Sequence, residues 1–138
     1  MRRLALALFA LVALAAFAVA VPAGAATHVR LAGCGDKPAY KPKSVIIACG
    51  DGAFRAEKLK WPTWTRKTAV GNGTARVNTC SPNCAQGKFK SYPVKLTADK
   101  PVKCPKNGRQ FTRLTYTFPH KKPSGAKRTD SLDRPCNG

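Results

Sequence analysis

The 138-residue chain predicts an all-β fold, a small disulfide-stapled antiparallel sandwich or barrel with a disordered basic C-terminal tail. Three observations carry that prediction. No segment shows a convincing helical period, and short alternating apolar runs are interrupted by Gly, Pro and Asn at intervals of roughly eight to twelve residues. Six cysteines all lie downstream of an apolar leader.

The leader is Met1-Arg2-Arg3, an apolar run from Leu4 to Val21, and the small residues Pro22 to Ala26. These are the charged, hydrophobic and cleavable parts of a secretory signal, with cleavage expected after Ala26. Two alternatives use the same stretch. A run of about 18 apolar residues is the lower edge of what spans a bilayer, although this one is mostly alanine. Leu31-Ala32-Gly33-Cys34 also matches a bacterial lipobox, in which Cys34 is acylated. Thr27, His28, Val29 and the charged Arg30 separate that box from the apolar run, and lipidation would leave an odd thiol.

An exported chain meets no glutathione pool, so Cys34, Cys49, Cys80, Cys84, Cys104 and Cys136 are expected in disulfides. Six cysteines allow 15 pairings. The sequential set is the expected one: Cys34 with Cys49, Cys80 with Cys84, and Cys104 with Cys136. Zinc is the competing use, but Cys80 and Cys84 form a close pair with no second pair, and His28 and His120 lie far off in polar segments. No metal and no cofactor is expected.

The chain divides into a signal at 1–26, an irregular lead-in at 27–43, a β domain at 44–118 and a basic flexible tail at 119–138. The lead-in carries Gly33, Gly35, Pro38 and Pro42 and is held down at Cys34. Val45 to Ala48 is a short β-branched run, and Gly50-Asp51-Gly52 turns it into a second strand from Ala53 to Lys60. One Asp there is far short of a calcium cage. Trp61-Pro62-Thr63-Trp64 is expected to break the strand, since proline cannot donate to a ladder. The two indoles are expected in the core, the alternative being an exposed sugar-stacking platform. Thr65 to Val70 resumes as a strand, and Gly71-Asn72-Gly73 reads as a type I′ turn.

The stretch from Gly73 to Leu96 reads as strand, cysteine-bracketed turn, strand. Ala75 and Val77 alternate with Arg76 and Asn78, and Tyr92, Val94 and Leu96 alternate with Pro93 and Lys95. Between them Ser81-Pro82-Asn83 supplies turn chemistry. Thr97 to Gly108, with Pro101 and Pro105, reads as a connection holding at most a short edge strand. Arg109 to Phe118 is the last clear strand, with Leu114, Tyr116 and Phe118 inward and Arg113, Thr115 and Thr117 outward. From Pro119 onward the composition predicts disorder except where Cys136 ties the chain back.

The segments ACGDG at 48–52, KLKWPTW at 58–64, VNTCSPNCAQGKF at 77–89, SYPVKL at 91–96 and FTRLTY at 111–116 resemble a group of small exported actinobacterial proteins with a signal peptide and spaced cysteines. The most specific part is C-x-P-N-C-A-x-G-x-F-x-x-Y-P-V. The resemblance covers roughly Cys34 to Tyr116 and implies an exported module. It carries over no catalytic residue, and the tail with Cys136 lies outside it.

Charge is the strongest functional signal. Loss of Arg2 and Arg3 with the leader lowers the net charge from +19 to +17, beyond what solubility requires. Arg55, Arg76, Lys95 and Arg113 fall at outward positions on four separate expected strands, joined by Lys88, Lys90, Lys121 and Lys122. Neighbouring strands would make one sheet face cationic, and the alternative is a dispersed solvated charge. The expected function is a secreted or cell-wall-associated monomer, non-catalytic, binding anionic envelope polymers, nucleic acid or a membrane surface. A protein-binding or inhibitor module presenting the Cys80–Cys84 loop is the second reading. A small ribonuclease using Glu57 as base and His120 as acid is a remote third, because the sequence offers nothing that brings those groups together. No serine sits in a glycine-flanked elbow.

Overall fold

The computed structural model describes residues 28–136; the signal expected at 1–26 lies outside them. The chain forms β1 (Val45–Ile46), β2 (Phe54–Trp64), β3 (Ala69–Asn78), β4 (Phe89–Cys104), β5 (Gly108–Thr117) and β6 (Thr129–Asp133). All six pair antiparallel in chain order as one meander. The expected all-β fold is present, and of its two forms the barrel is nearer, since a single sheet curls into a half-barrel.

Two features of β2 produce the curl. Its register with β3 slips once between Glu57 and Lys60 and again between Lys60 and Thr63, so β2 carries two extra residues. Lys58 adopts a left-handed φ of 54° at the first slip, and Pro62 lies within the second. Such bulges bend a strand and increase its twist. The Trp61–Trp64 segment therefore continues the strand through a bulge rather than breaking it.

The strand expected from Thr65 and the turn expected at Gly71-Asn72-Gly73 are both corrected. The β2–β3 turn is Thr65-Arg66-Lys67-Thr68, where the Thr65 hydroxyl accepts the Lys67 and Thr68 amides. Asn72 instead sits mid-strand between Lys60 and Lys95. The glycines serve close approach. A Cβ on Gly71 would lie 2.6 Å from Trp61 Cε3, and one on Gly73 2.8 Å from Leu59 Cδ2. Packing of these side chains over bare backbone overrides the local turn preference.

The connection expected at 97–108 is also corrected, because β4 continues to Cys104. β3 covers Phe89 to Ala98 of β4, and β5 covers Lys95 to Cys104. Pro93 and Pro101 thus fall where one neighbour has run out, and a missing N–H there costs no ladder bond. The expected tail is ordered as well. Thr129 to Asp133 pairs with Thr117 to Arg113, and Arg134 N donates to Thr112 O at 2.7 Å.

The lead-in joins β1 to the N-terminal half of β5. Arg30 forms a parallel bridge to Gln110 of β5, Leu31 bridges Ala39, and Cys34 N donates to Ile46 O at 3.2 Å. It also supplies buried Val29, Leu31 and Ala32, so the folded unit begins before residue 44. The core joins these to Val45, Ile47, Leu59, Trp61, Val94, Leu96, Phe111, Leu114 and Phe118. Trp61 is buried, 8 % exposed, with its Nε1 donating to Pro42 O, while Trp64 is partly buried against the core and its Nε1 donates to Val29 O.

The three disulfides are the expected sequential set, Cys34–Cys49, Cys80–Cys84 and Cys104–Cys136. Cys34 is thereby committed to Cys49, which removes the thiol that a lipobox would acylate. Three disulfides in a domain this small are compatible with an extracellular protein.

Candidate functional site

In a curled sheet with the core inside, residues of the opposite phase face solvent. Direct cross-strand partners share a face, so the register fixes which cations are neighbours. Ile46, Arg55, Arg76 and Ser91 form one outer row across β1 to β4. Glu57, Thr74 and Pro93 form the next, then Lys60, Asn72, Lys95, Thr117 and Thr129. Asp99, Arg113 and Asp133 form a row at the opposite end.

The four expected site residues therefore do share a face, but their charges are not equivalent. Arg55 and Arg76 are direct partners, and Arg76 donates to Ser91 Oγ at 2.8 Å. Arg55 also pairs with Glu57 at 2.8 Å. Lys95 is exposed and has no acidic partner among the described residues. Arg113 is neutralised. Its Nε and Nη2 donate to the two Asp99 oxygens at 2.6 Å each, with Asp133 on its other side. That fork holds the Asp99 carboxyl below its usual range against an opposing effect of burial.

Three participants were missed by sequence reasoning. Phe89, 37 % exposed, lies under both guanidinium groups, 5.3 Å from Arg55 and 5.9 Å from Arg76. Its flanking lysines, Lys88 and Lys90, were the available signal. Lys60 lies in the same outer row as Lys95, on either side of Asn72, a placement that the bulges in β2 create. A further basic basin of about 210 Å³ is lined by His28, Arg30, Lys106 and Arg109 at the β4–β5 turn. Nothing local in the sequence joins Arg30 to Arg109; the bridge to Gln110 does.

The Cys80–Cys84 loop is exposed from Ser81 to Gln86. Asn78 holds it at both ends, its Oδ1 accepting Cys80 N at 2.9 Å and its Nδ2 donating to Cys84 O at 2.8 Å. Of the remote catalytic pair, Glu57 is engaged by Arg55, while His120 lies exposed after β5, where its carbonyl accepts Arg128. A cavity of about 400 Å³ lies elsewhere, where the loop after β1 meets the residues after β6. Comparison with known proteins finds no family model, curated protein or solved structure that matches this chain.

Proposed function

We propose that the protein is an exported, non-catalytic cationic module that binds anionic cell-envelope polymers or other polyanions through the outer face of its sheet. The observation that carries this reading is the arrangement of charge on that face. Arg55 pairs with Arg76 across one row and Lys60 with Lys95 about another, while Glu57 is the acid beside them among the described residues. The rows are separated by four residues of β3, about 13 Å. A flexible polyanion spans that distance with several charged units. In this reading Arg76, Lys60 and Lys95 are the main contacts, with Phe89 as an apolar floor, and the Asp99 fork on Arg113 speaks against that residue's taking part.

Titration against heparin, teichoic acid and single-stranded DNA at several salt concentrations tests this. Three neutralised charges give a logarithmic salt slope of roughly 2 to 3, at about 0.7–0.9 per contact. Arg76→Gln with Lys95→Gln flattens the slope by about 1.5 and weakens all three polymers alike. Arg113→Gln leaves it nearly unchanged. Phe89→Ala selectively weakens the DNA, whose bases stack on aromatic rings, by about 1–3 kcal/mol. Binding that survives Arg76→Gln/Lys95→Gln but disappears with Lys127→Gln/Arg128→Gln overturns the sheet-face model.

A second reading has a specific observation behind it. The Cys80–Cys84 loop is exposed and pre-ordered by Asn78, so it loses little freedom on docking to a protein. Salt separates the two, since a loop-mediated contact is nearly insensitive to ionic strength.

A further inference from the structure

Arg134 is a cation without a counter-charge in contact. It is 6 % exposed, and none of the ion pairs among the described residues includes it. Its Nη2 donates to Ile47 O at 2.6 Å and its Nη1 to Cys49 Sγ at 3.7 Å, while the buried Nε has no partner. Burial lowers its pKa, and the charge of Asp36 opposes that shift. Asp36 itself is turned to another task, accepting Ile46 N at 3.4 Å.

Arg134 is among the residues that line the 400 Å³ cavity at the closure of the half-barrel. The Cys34–Cys49 disulfide, Ala32, Ile46 and Pro135 also line it. Gly50 and Gly52 contribute backbone without side chains. The volume falls in the range of small-molecule pockets, which typically combine apolar walls with a few convergent polar groups.

We propose that this cavity binds a small monocarboxylate, its carboxylate on Arg134 and its short apolar body against Ile46, Pro135 and the disulfide. A carboxylate would take the Nη protons that Ile47 O and Cys49 Sγ leave over, and it offsets the buried charge. Charge selects against dianions. Asp133 also lines the cavity and Asp36 stands near, so a second negative charge meets repulsion. The site shares Ile46 and Asp133 with the outer rows but none of the cations of the polyanion reading, so its failure leaves that reading untouched.

The test is an NMR titration of the whole disulfide-bonded protein with isobutyrate at constant ionic strength, following the Arg134 Nε–H signal and the Gly50 and Gly52 amides. Those three signals shift saturably with a common dissociation constant, while the Arg76 Nε–H signal does not follow them. Isobutyramide, equal in shape but uncharged, binds at least about tenfold more weakly, the worth of one charge-assisted hydrogen bond. Inorganic phosphate is also weaker than isobutyrate. Arg134→Met, which keeps the apolar stem, abolishes the saturable shifts at Gly50 and Gly52. If this variant fails to fold, the three ligands on the unaltered protein still decide. Equal binding of isobutyramide, tighter binding of phosphate, or no saturation at Gly50 and Gly52 overturns the proposal.

Discussion

Replacing both cysteines of the Cys104–Cys136 bridge by alanine should cost more stability than replacing either other pair. The bridge closes a loop of 32 residues, against 15 for Cys34–Cys49 and 4 for Cys80–Cys84. With the loop-entropy relation for cross-linked chains, those separations correspond to about 3.7, 3.0 and 1.9 kcal/mol at 25 °C. The first figure gains from the structure. Cys104 is 2 % exposed, so truncating it also removes buried contacts, and β6 contributes only Leu132 to the apolar core. Urea unfolding at matched conditions is the assay. At an m-value near 1.5 kcal/mol/M, Cys104→Ala/Cys136→Ala lowers the midpoint by about 2.5 M, and Cys80→Ala/Cys84→Ala by about 1.3 M. Amide exchange should quicken first in Thr129 to Asp133. Equal losses for the two variants, or a loss under about 1 kcal/mol at Cys104–Cys136, would refute the assignment of β6 as a stapled strand.

Gly71→Ala should destabilise by about 1–3 kcal/mol, since the new methyl meets the Trp61 indole and displaces a side chain whose Nε1 is held by Pro42 O. Thermal unfolding measures it, and an unchanged midpoint would mean that the indole does not cover Gly71. Asp99 has its pKa lowered from 3.8, chiefly by the hydrogen bonds from Arg113, so its contribution is present above that pH and lost as pH falls through the lower folded value. Asp99→Asn should flatten the acid limb of a stability–pH curve below about pH 4. Tyr116 has its pKa raised from 10.0 by burial and by Asp130. Its contribution is therefore lost as pH rises through the alkaline range, and a spectrophotometric titration should find its phenol ionising above the usual tyrosine range.

Much of the fold was legible because its signals are local. Alternation marked β5 and the two strands flanking Cys80 and Cys84, and the Gly50-Asp51-Gly52 turn follows from dihedral preference alone, with Asp51 Oδ1 accepting Ala53 N. The errors share one cause, which is that a neighbour decides. Asn72-Gly73 looks like a turn until Trp61 and Leu59 need its bare backbone. Pro101 looks like a terminator until β3 is seen to stop opposite Ala98. The tail looks disordered by side-chain composition, but β6 is held by backbone pairing to an open strand, by Cys136 and by Arg134. The site shows the same division. Strand phase correctly placed Arg55, Arg76, Lys95 and Arg113 on one face, but it could not show that Asp99 and Asp133 cancel the last of them.

The unused side of β5 is hydrogen-bonded almost along its whole length by the two ends of the chain. Arg30 takes Arg109 and Phe111, Arg134 takes Thr112, β6 takes Arg113 to Thr117, and Arg128 takes Phe118. Bare, that strand would be a ten-residue template able to recruit a strand from a second molecule. A protease that cuts the exposed connection between Pro119 and Lys127 does not bare it, because Cys136 keeps the severed piece on Cys104. The same cut followed by reduction bares Thr112 to Thr117, while Arg30 still covers Arg109 and Phe111. Self-association should therefore require two successive injuries, one to the backbone and one to the sulfur bridge, and neither alone should suffice.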